Sequence, residues 1–385
     1  MPVEKNPFQL QEIPPDAPFC DRERELAELL AYARAGGNVV VYSPRRYGKT
    51  SLVKRVQDRL RVDGAVTVFV DFFGVTSVDD VAARLAKAVF RVTHGREPLW
   101  RTALRVMRSF RPVLKPDAGG GFTLTVEPAG TGATGLELLE GTMESLGAFV
   151  REGGAPVQVT LDEFQEIVTL RGALSVEAAL RRHIQGHRAS YFFVGSRRRV
   201  LLGIFNERQR PFFRAAINYP LGPLPPEDLA RYLVERFAAG GRTCPPEVAR
   251  RLVELAAGHP YYAQKLAFLL HTGGGRICLK ALDGALERLV RSEAPVFEAV
   301  LQGISPHQRR LLRALAFEPS AAPLGAGFIQ RHGLGSVGGV QHSLRRLEEL
   351  DLVERPAPGA PWRVVDPVLG LWLRRQEEDR LPGPA

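Results

Sequence analysis

The sequence predicts an α/β fold: a parallel sheet with helices between its strands, followed by segments of mainly helical character. Three observations predict it. Short apolar runs, β-branched or aromatic, recur at residues 39–42, 65–71, 156–162, 190–194 and 217–221, as strands buried on both faces require. Apolar residues at helical spacing occupy stretches between them, the alternation that builds parallel sheets. From Pro223 onward the spacing is helical until two short strand-like runs near residues 352–355 and 362–365.

The first strand leads into Ser43-Pro44-Arg45-Arg46-Tyr47-Gly48-Lys49-Thr50-Ser51. Strand, six-residue turn, Lys-Thr and an amphipathic helix with Leu52, Val53, Val56 and Leu60 on one face follow in the order of a phosphate-binding P-loop. The turn and the helix start at Ser51 present backbone N–H groups and partial positive charge to phosphate oxygens. Lys49 reaches the β- and γ-phosphates of a nucleotide, and Thr50 Oγ1 binds its Mg²⁺. Ser43 stands where the formal pattern has Gly, which eases an unusual backbone angle, so the departure bears on loop geometry. The plainer alternative is a chance Gly-Lys-Thr at an ordinary helix start; the flanking strand and helix favour the phosphate loop.

At 385 residues the chain buries a large core and holds two or three domains. No window approaches 18 uncharged apolar residues, so no membrane span is expected, and the N-terminus lacks the apolar core of a signal peptide. Cys20, Cys244 and Cys278 have neither metal nor disulfide spacing. Together these predict a cytoplasmic protein. The net charge of +10 suggests an anionic partner. Residues 91–115 carry seven Lys/Arg against Glu97, and residues 171–214 ten Arg against Glu177 and Glu207. Solvated helix faces and arginines near a nucleotide explain the same charge more plainly.

Taken in order, residues 1–18 are Pro-rich and extended, and Asp21 is read as the N-cap of a helix to Arg34 with Leu26, Leu29 and Leu30 inward. Ser77 caps a helix to Phe90 with Val81, Leu85 and Val89 inward. Leu104, Met107 and Phe110 can share one helix face, with Arg101, Arg105 and Arg108 opposite. Gly119-Gly120-Gly121 breaks the chain, a loose strand and turn follow to Thr134, and residues 136–150 are helical with Leu139, Met143, Leu146 and Val150 inward.

The run 156–162 ends in Asp162-Glu163, a Walker B pattern. Asp162 can hold the Mg²⁺ that Thr50 ligates, and Glu163 can polarise the attacking water. Ser196 follows the next strand, where in a common P-loop topology a polar residue touches the γ-phosphate or the water; a turn serine reads as well. Arg208, Arg210 and Arg214 precede the last strand of the sheet, where one arginine can stabilise transferring phosphoryl charge, although a surface role is the plainer reading for any one. Leu229, Leu233 and Phe237, then Val248, Leu252 and Leu255, mark two helices. Gly258-His259-Pro260 interrupts before a third, and no second His or Cys accompanies His259 for a metal. Three helices and a β-hairpin from Ser305 make a winged helix. Its third helix, capped by Ser336, turns Val340, Leu344, Leu347 and Leu350 inward and exposes Gln341, His342, Arg345, Arg346, Glu348 and Glu349. Residues 305–385 hold eleven basic and nine acidic residues, so DNA and a protein partner both remain open for this module.

These residues resemble a known group, the archaeal-type ATPases of the P-loop class, related to AAA+ proteins and to the STAND signalling ATPases. Phe19-Cys20-Asp21-Arg22-Glu23 is similar to the group's apolar-apolar-Gly-Arg-Glu box near the adenine, with Asp21 in place of Gly. Residues 43–52 resemble its Gly-Pro-Arg-Arg-x-Gly-Lys-Thr/Ser loop. Leu161-Asp162-Glu163-Phe164-Gln165-Glu166 and Val194-Gly195-Ser196 resemble its Walker B and sensor segments. Gly258-His259-Pro260 resembles the Gly-x-Pro of a helical lid, and Val365-Asp366-Pro367 through Trp372 a winged-helix end. The resemblance implies a five-stranded parallel core, a lid, a winged helix, and ATP with Mg²⁺. It places Arg22, Gly258 and Pro260 around the nucleotide and makes Arg214 the best arginine finger, since Pro-Phe-Phe before it resembles the group's Pro-Leu-Tyr-Gly-Arg. The expected layout is an ATPase core with N-terminal extension over residues 1–222, a lid over 223–303, a winged helix over 304–378 and a tail over 379–385. The expected function is an ATP-hydrolysing switch acting on DNA or a protein partner, with a homo-oligomer in view. The alternative is a nucleotide-dependent signalling scaffold with little or no turnover.

Overall fold

The computed structural model describes residues 6–14, 17–93, 110–116, 122–128 and 133–378. It divides into two compact units, Arg22–Ser43 with Lys49–Leu221, and Met1–Asp21 with Pro44–Gly48 and Gly222–Ala385.

The first unit is built on a five-stranded sheet. Its elements in order are α1 (Glu23–Arg34), β1 (Val39–Tyr42), α2 (Lys49–Val62), β2 (Val66–Asp71), α3 (Val78–Thr93), a hairpin of β3 (Phe110–Pro116) and β4 (Phe122–Pro128), α4 (Gly135–Glu152), β5 (Val157–Asp162), a 3-10 segment (Phe164–Thr169), α5 (Ala173–Gly186), β6 (Ser190–Gly195), α6 (Arg198–Asn206) and β7 (Ile217–Pro220). The strand order is β2-β5-β6-β1-β7, with every pairing parallel. All six residues of β5 and of β6 are buried, as helices on both faces demand, whereas the edge strand β7 leaves Ile217 exposed. Leu52, Val53, Val56 and Leu60 of α2 and Val81, Leu85 and Val89 of α3 are all buried. Ser77 caps α3 through the Asp80 N–H at 3.2 Å. Thr134 and Glu137 form a capping box that starts α4.

Three expectations change here. The N-cap of α1 is Arg22, without a side-chain cap bond, and not Asp21, whose φ of 38° is left-handed and turned away from capping geometry. Phe110 opens a strand rather than closing a helix face, because Pro112 and Pro116 follow it and proline breaks helices but is tolerated in a two-stranded ribbon. Leu104, Met107, Arg101, Arg105, Arg108, the three glycines 119–121 and the tail 379–385 lie outside the described residues. The third change falls in the second unit: Leu350 is exposed, because the helix Val337–Glu349 ends one residue before it and its apolar stripe ends with it.

That second unit contains α7 (Pro226–Ala239), α8 (Pro246–Leu255), α9 (Pro260–Thr272), α10 (Leu279–Gln302), α11 (Pro306–Phe317), α12 (Ala326–Arg331), α13 (Val337–Glu349), β8 (Val353–Glu354), β9 (Arg363–Val364) and α14 (Pro367–Glu378). Proline at the first position of α7, α8, α9 and α11 has a preset φ and no N–H to leave orphaned. β8 and β9 pair antiparallel, and Ser320 bridges Trp362 beside them, giving the wing. One hydrophobic core runs from Leu229 and Phe237 through Leu266, Leu289 and Phe297 to Leu311, Leu347 and Trp372. The N-terminal segment joins it: Phe8 is buried with its ring 4.6 Å from that of Phe237.

Candidate functional site

In the sheet unit, two strand ends bring the predicted groups together. β1 ends at Tyr42, and α2 opens with Lys49 and Thr50; β5, separated from β1 by β6, ends at Asp162. Thr50 Oγ1 donates to Asp162 Oδ2 at 2.8 Å, and the Glu163 N–H donates to Asp162 Oδ1 at 2.9 Å. Ser196, just past β6, donates from Oγ to Glu163 Oε2 at 3.2 Å, and Gln165 Nε2 donates to the same oxygen. Lys49 is buried, its Nζ 3.1 Å from Ser43 O and 3.3 Å from Ser43 Oγ. The structure therefore joins Lys49 to Ser43, Thr50 to Asp162, and Ser196 to Glu163.

Electrostatics sharpen the picture. Burial pushes the Asp162 carboxyl up to about 6, against the Thr50 hydrogen bond that lowers it, with the Glu163 charge adding to the rise. A buried carboxylate with that affinity for a proton is short of positive charge. A threonine hydroxyl and a carboxylate are hard oxygen donors of the kind Mg²⁺ takes alongside water and phosphate, so the residues fit the ion. Glu163 itself has φ 49°, in the left-handed region, a conformation that costs free energy and concentrates at functional sites.

The loop residues Pro44–Gly48 belong to the helical unit. Positive φ falls on Arg46 (64°) and Gly48 (83°) and not on Ser43, so serine at position 43 meets no backbone penalty, and its hydroxyl faces Lys49. Tyr47 is buried with its ring 4.6 Å from that of His259, and the exposed Arg46 places its guanidinium 4.2 Å over the Tyr261 ring. Arg45 is exposed, Pro44 half-buried and Ser51 buried. Gly258 has φ 68°, and a Cβ there would stand 3.0 Å from Leu224 O; Pro260 opens α9 one residue after His259. His259 is thus a packing residue under the loop. Arg22 is buried and ion-paired with Glu25 at 2.6 Å.

The three arginines before β7 separate. Arg208 is exposed. Arg210 pairs with the fully buried Glu177 of α5, which makes it structural. Arg214 is exposed with its guanidinium 5.2 Å over the Phe213 ring, and among the described residues no hydrogen bond draws it to Lys49, Asp162, Glu163 or Ser196. Two groups escaped the sequence reading. They are Gln165, within the segment that resembles Walker B, and Asp71, which ends the run 65–71 and aligns in register with Asp162 at the end of β2.

A parallel sheet in this order, with Lys-Thr after its first strand and Asp-Glu ending the strand two places away, defines a P-loop NTPase. Residues 19–191 match the ATPase domain predominantly from Archaea, and residues 295–375 match a probable winged helix domain. The chain thus joins a segment that matches this ATPase domain to one that matches a winged helix. Its fold is similar to that of the Walker-type ATPase PABY2304 of Pyrococcus abyssi, with a TM-score of 0.68 at 18% identity over 96% of this chain and 99% of that one. It is also similar to Aeropyrum pernix ORC2, solved as ADPNP-ADP complexes, with a TM-score of 0.59 at 16% identity over 98% of each chain. No curated protein matches the sequence significantly. Among the described residues, no helix is long and apolar enough to cross a membrane.

Proposed function

We propose that the protein binds ATP with Mg²⁺, hydrolyses it slowly, and uses the cycle to switch a conformation that acts on DNA or a protein partner. The observation that carries this reading is the 2.8 Å contact between Thr50 Oγ1 and Asp162 Oδ2, beside a Glu163 carboxylate held by Ser196. Lys49 binds the β- and γ-phosphate oxygens with its ammonium group, alongside the N–H groups of the loop. Thr50 and Asp162 would hold Mg²⁺, whose charge offsets that of the phosphates. Glu163 accepts the proton of the attacking water, while Ser196 orients the carboxylate. We assign Arg22 to the adenine side, and Arg214, outside the hydrogen-bonded cluster, to a neighbouring copy as its finger. We infer a cytoplasmic setting, in keeping with the lack of metal or disulfide spacing among Cys20, Cys244 and Cys278.

The reading is tested with two variants. Lys49→Ala is expected to abolish ATP binding or turnover, and Glu163→Gln to retain ATP but lose turnover. Unchanged hydrolysis by purified Lys49→Ala protein would sink it. A wild type that binds ATP without measurable turnover would instead identify a nucleotide-dependent scaffold.

A further inference from the structure

Gln165 lies two residues after Glu163 and is completely buried. Its Nε2 donates to Glu163 Oε2, whereas its Oε1 is buried with no hydrogen-bond partner. That oxygen lies against Gly195, the last residue of β6. A Cβ on Gly195 would sit 1.9 Å from Gln165 Oε1 and 3.0 Å from its Cδ. Gly195 does not have a positive φ, so backbone conformation gives no reason for glycine there; the Gln165 side chain does. An orphaned buried amide oxygen costs free energy that an apolar side chain of equal length would not. The amide must therefore be retained for its other end.

We propose that Gln165 is a positioning residue for Glu163, seated in a slot that only glycine at position 195 leaves open. Its amide and the Ser196 hydroxyl both engage Oε2, which fixes the carboxylate and leaves Oε1 to meet the water. The proposal rests on Glu163 as the general base proposed above.

The test uses the full-length protein, with steady-state phosphate release from Mg-ATP, equilibrium binding of a fluorescent ATP analogue, and thermal melting without nucleotide. Gln165→Met is expected to lower kcat by about ten- to a hundredfold, the scale of a misplaced catalytic group, with KM and analogue affinity within about twofold. Because Met removes the orphaned oxygen, Tm should rise, by about 2 °C. Gly195→Ala should lower kcat similarly by displacing the amide, and Gln165→Ala with Gly195→Ala should be no slower than Gln165→Ala alone, since the two residues act as one. Wild-type kcat in Gln165→Met, with turnover lost in Glu163→Gln, overturns the inference and leaves the function standing. A Tm that falls together with kcat makes Gln165 a packing residue and also overturns it. Losses that multiply in the double variant reject the slot. Turnover retained in Glu163→Gln, or absent from the wild type, removes the base reading and this inference with it.

Discussion

The Tyr262 hydroxyl donates to Asp366 Oδ2 at 2.6 Å, tying α9 to the start of α14. The other oxygen of Asp366 accepts from the Val368 and Leu369 N–H groups, both at 2.9 Å, and so caps that helix. Burial raises the Asp366 pKa, and the three hydrogen bonds work against that rise. Tyr262→Phe leaves a buried carboxylate one donor short, which costs about 1–3 kcal/mol. Urea unfolding should show a lower midpoint with an unchanged m value. An unchanged midpoint would mean that the pair contributes nothing net.

Glu177 carries a pH signature. Burial pushes its carboxyl up to about 7, although the Arg210 charge and hydrogen bond oppose the rise. A folded-state pKa above the unfolded value adds stability that is fully present below about 4.5 and is lost as pH rises through about 7. The apo protein should therefore lose stability across that window, on the order of 3 kcal/mol at most from this group. Melting temperatures from pH 5 to 8 should fall less steeply in Glu177→Gln than in the wild type. Parallel curves would assign the slope elsewhere.

Arg214 is expected to work between copies. Specific ATPase activity should rise with protein concentration, and Arg214→Ala should flatten that rise. A wild-type activity constant across dilution in monomeric protein returns Arg214 to a surface role.

On α13, Gln341, His342, Arg345 and Arg346 are exposed, and Arg346 pairs with Glu349 at 3.2 Å. If this face meets phosphates, binding of labelled duplex must weaken with salt by about 0.9 in log–log slope per contact. Arg345→Ala with Arg346→Ala should then make the slope shallower by about 2 and lower affinity, leaving basal ATPase unchanged. No binding of single- or double-stranded DNA at about 50 mM salt, where such contacts are strong, points to a protein partner.

Much of this was legible because periodicity reports burial. The apolar stripes of α2 and α3 were read residue by residue, and each named residue is buried. Ser196 follows a strand that pairs with both β1 and β5, where a common topology put it. What escaped depended on distance along the chain. Whether Gln165 turns its amide to Glu163 is decided by a missing side chain thirty residues later, at Gly195. Arg210 looked like any surface arginine because its partner is 33 residues away in a helix whose charge pattern does not reveal burial. Phe110 fitted a helix spacing only while the prolines after it were given less weight than the apolar residues before it.

The packing of Phe8 has a consequence for how the chain is made. Its neighbours are Phe237 and His271, Pro7 occupies the space a side chain at position 240 would need, and the Arg236 guanidinium holds the Pro7 carbonyl at 3.2 Å. During synthesis the first of these residues leaves the ribosome more than two hundred positions before the last. An apolar segment therefore waits, without its pocket, while the whole sheet unit is translated, at about 5–20 residues per second. Seating Phe8 in the helical unit requires both ends of that long loop to meet, a contact of high sequence separation. A nascent chain arrested with Pro220 outside the ribosome and Phe237 still inside it should hold a finished sheet and an unburied Phe8, the state a chaperone would meet.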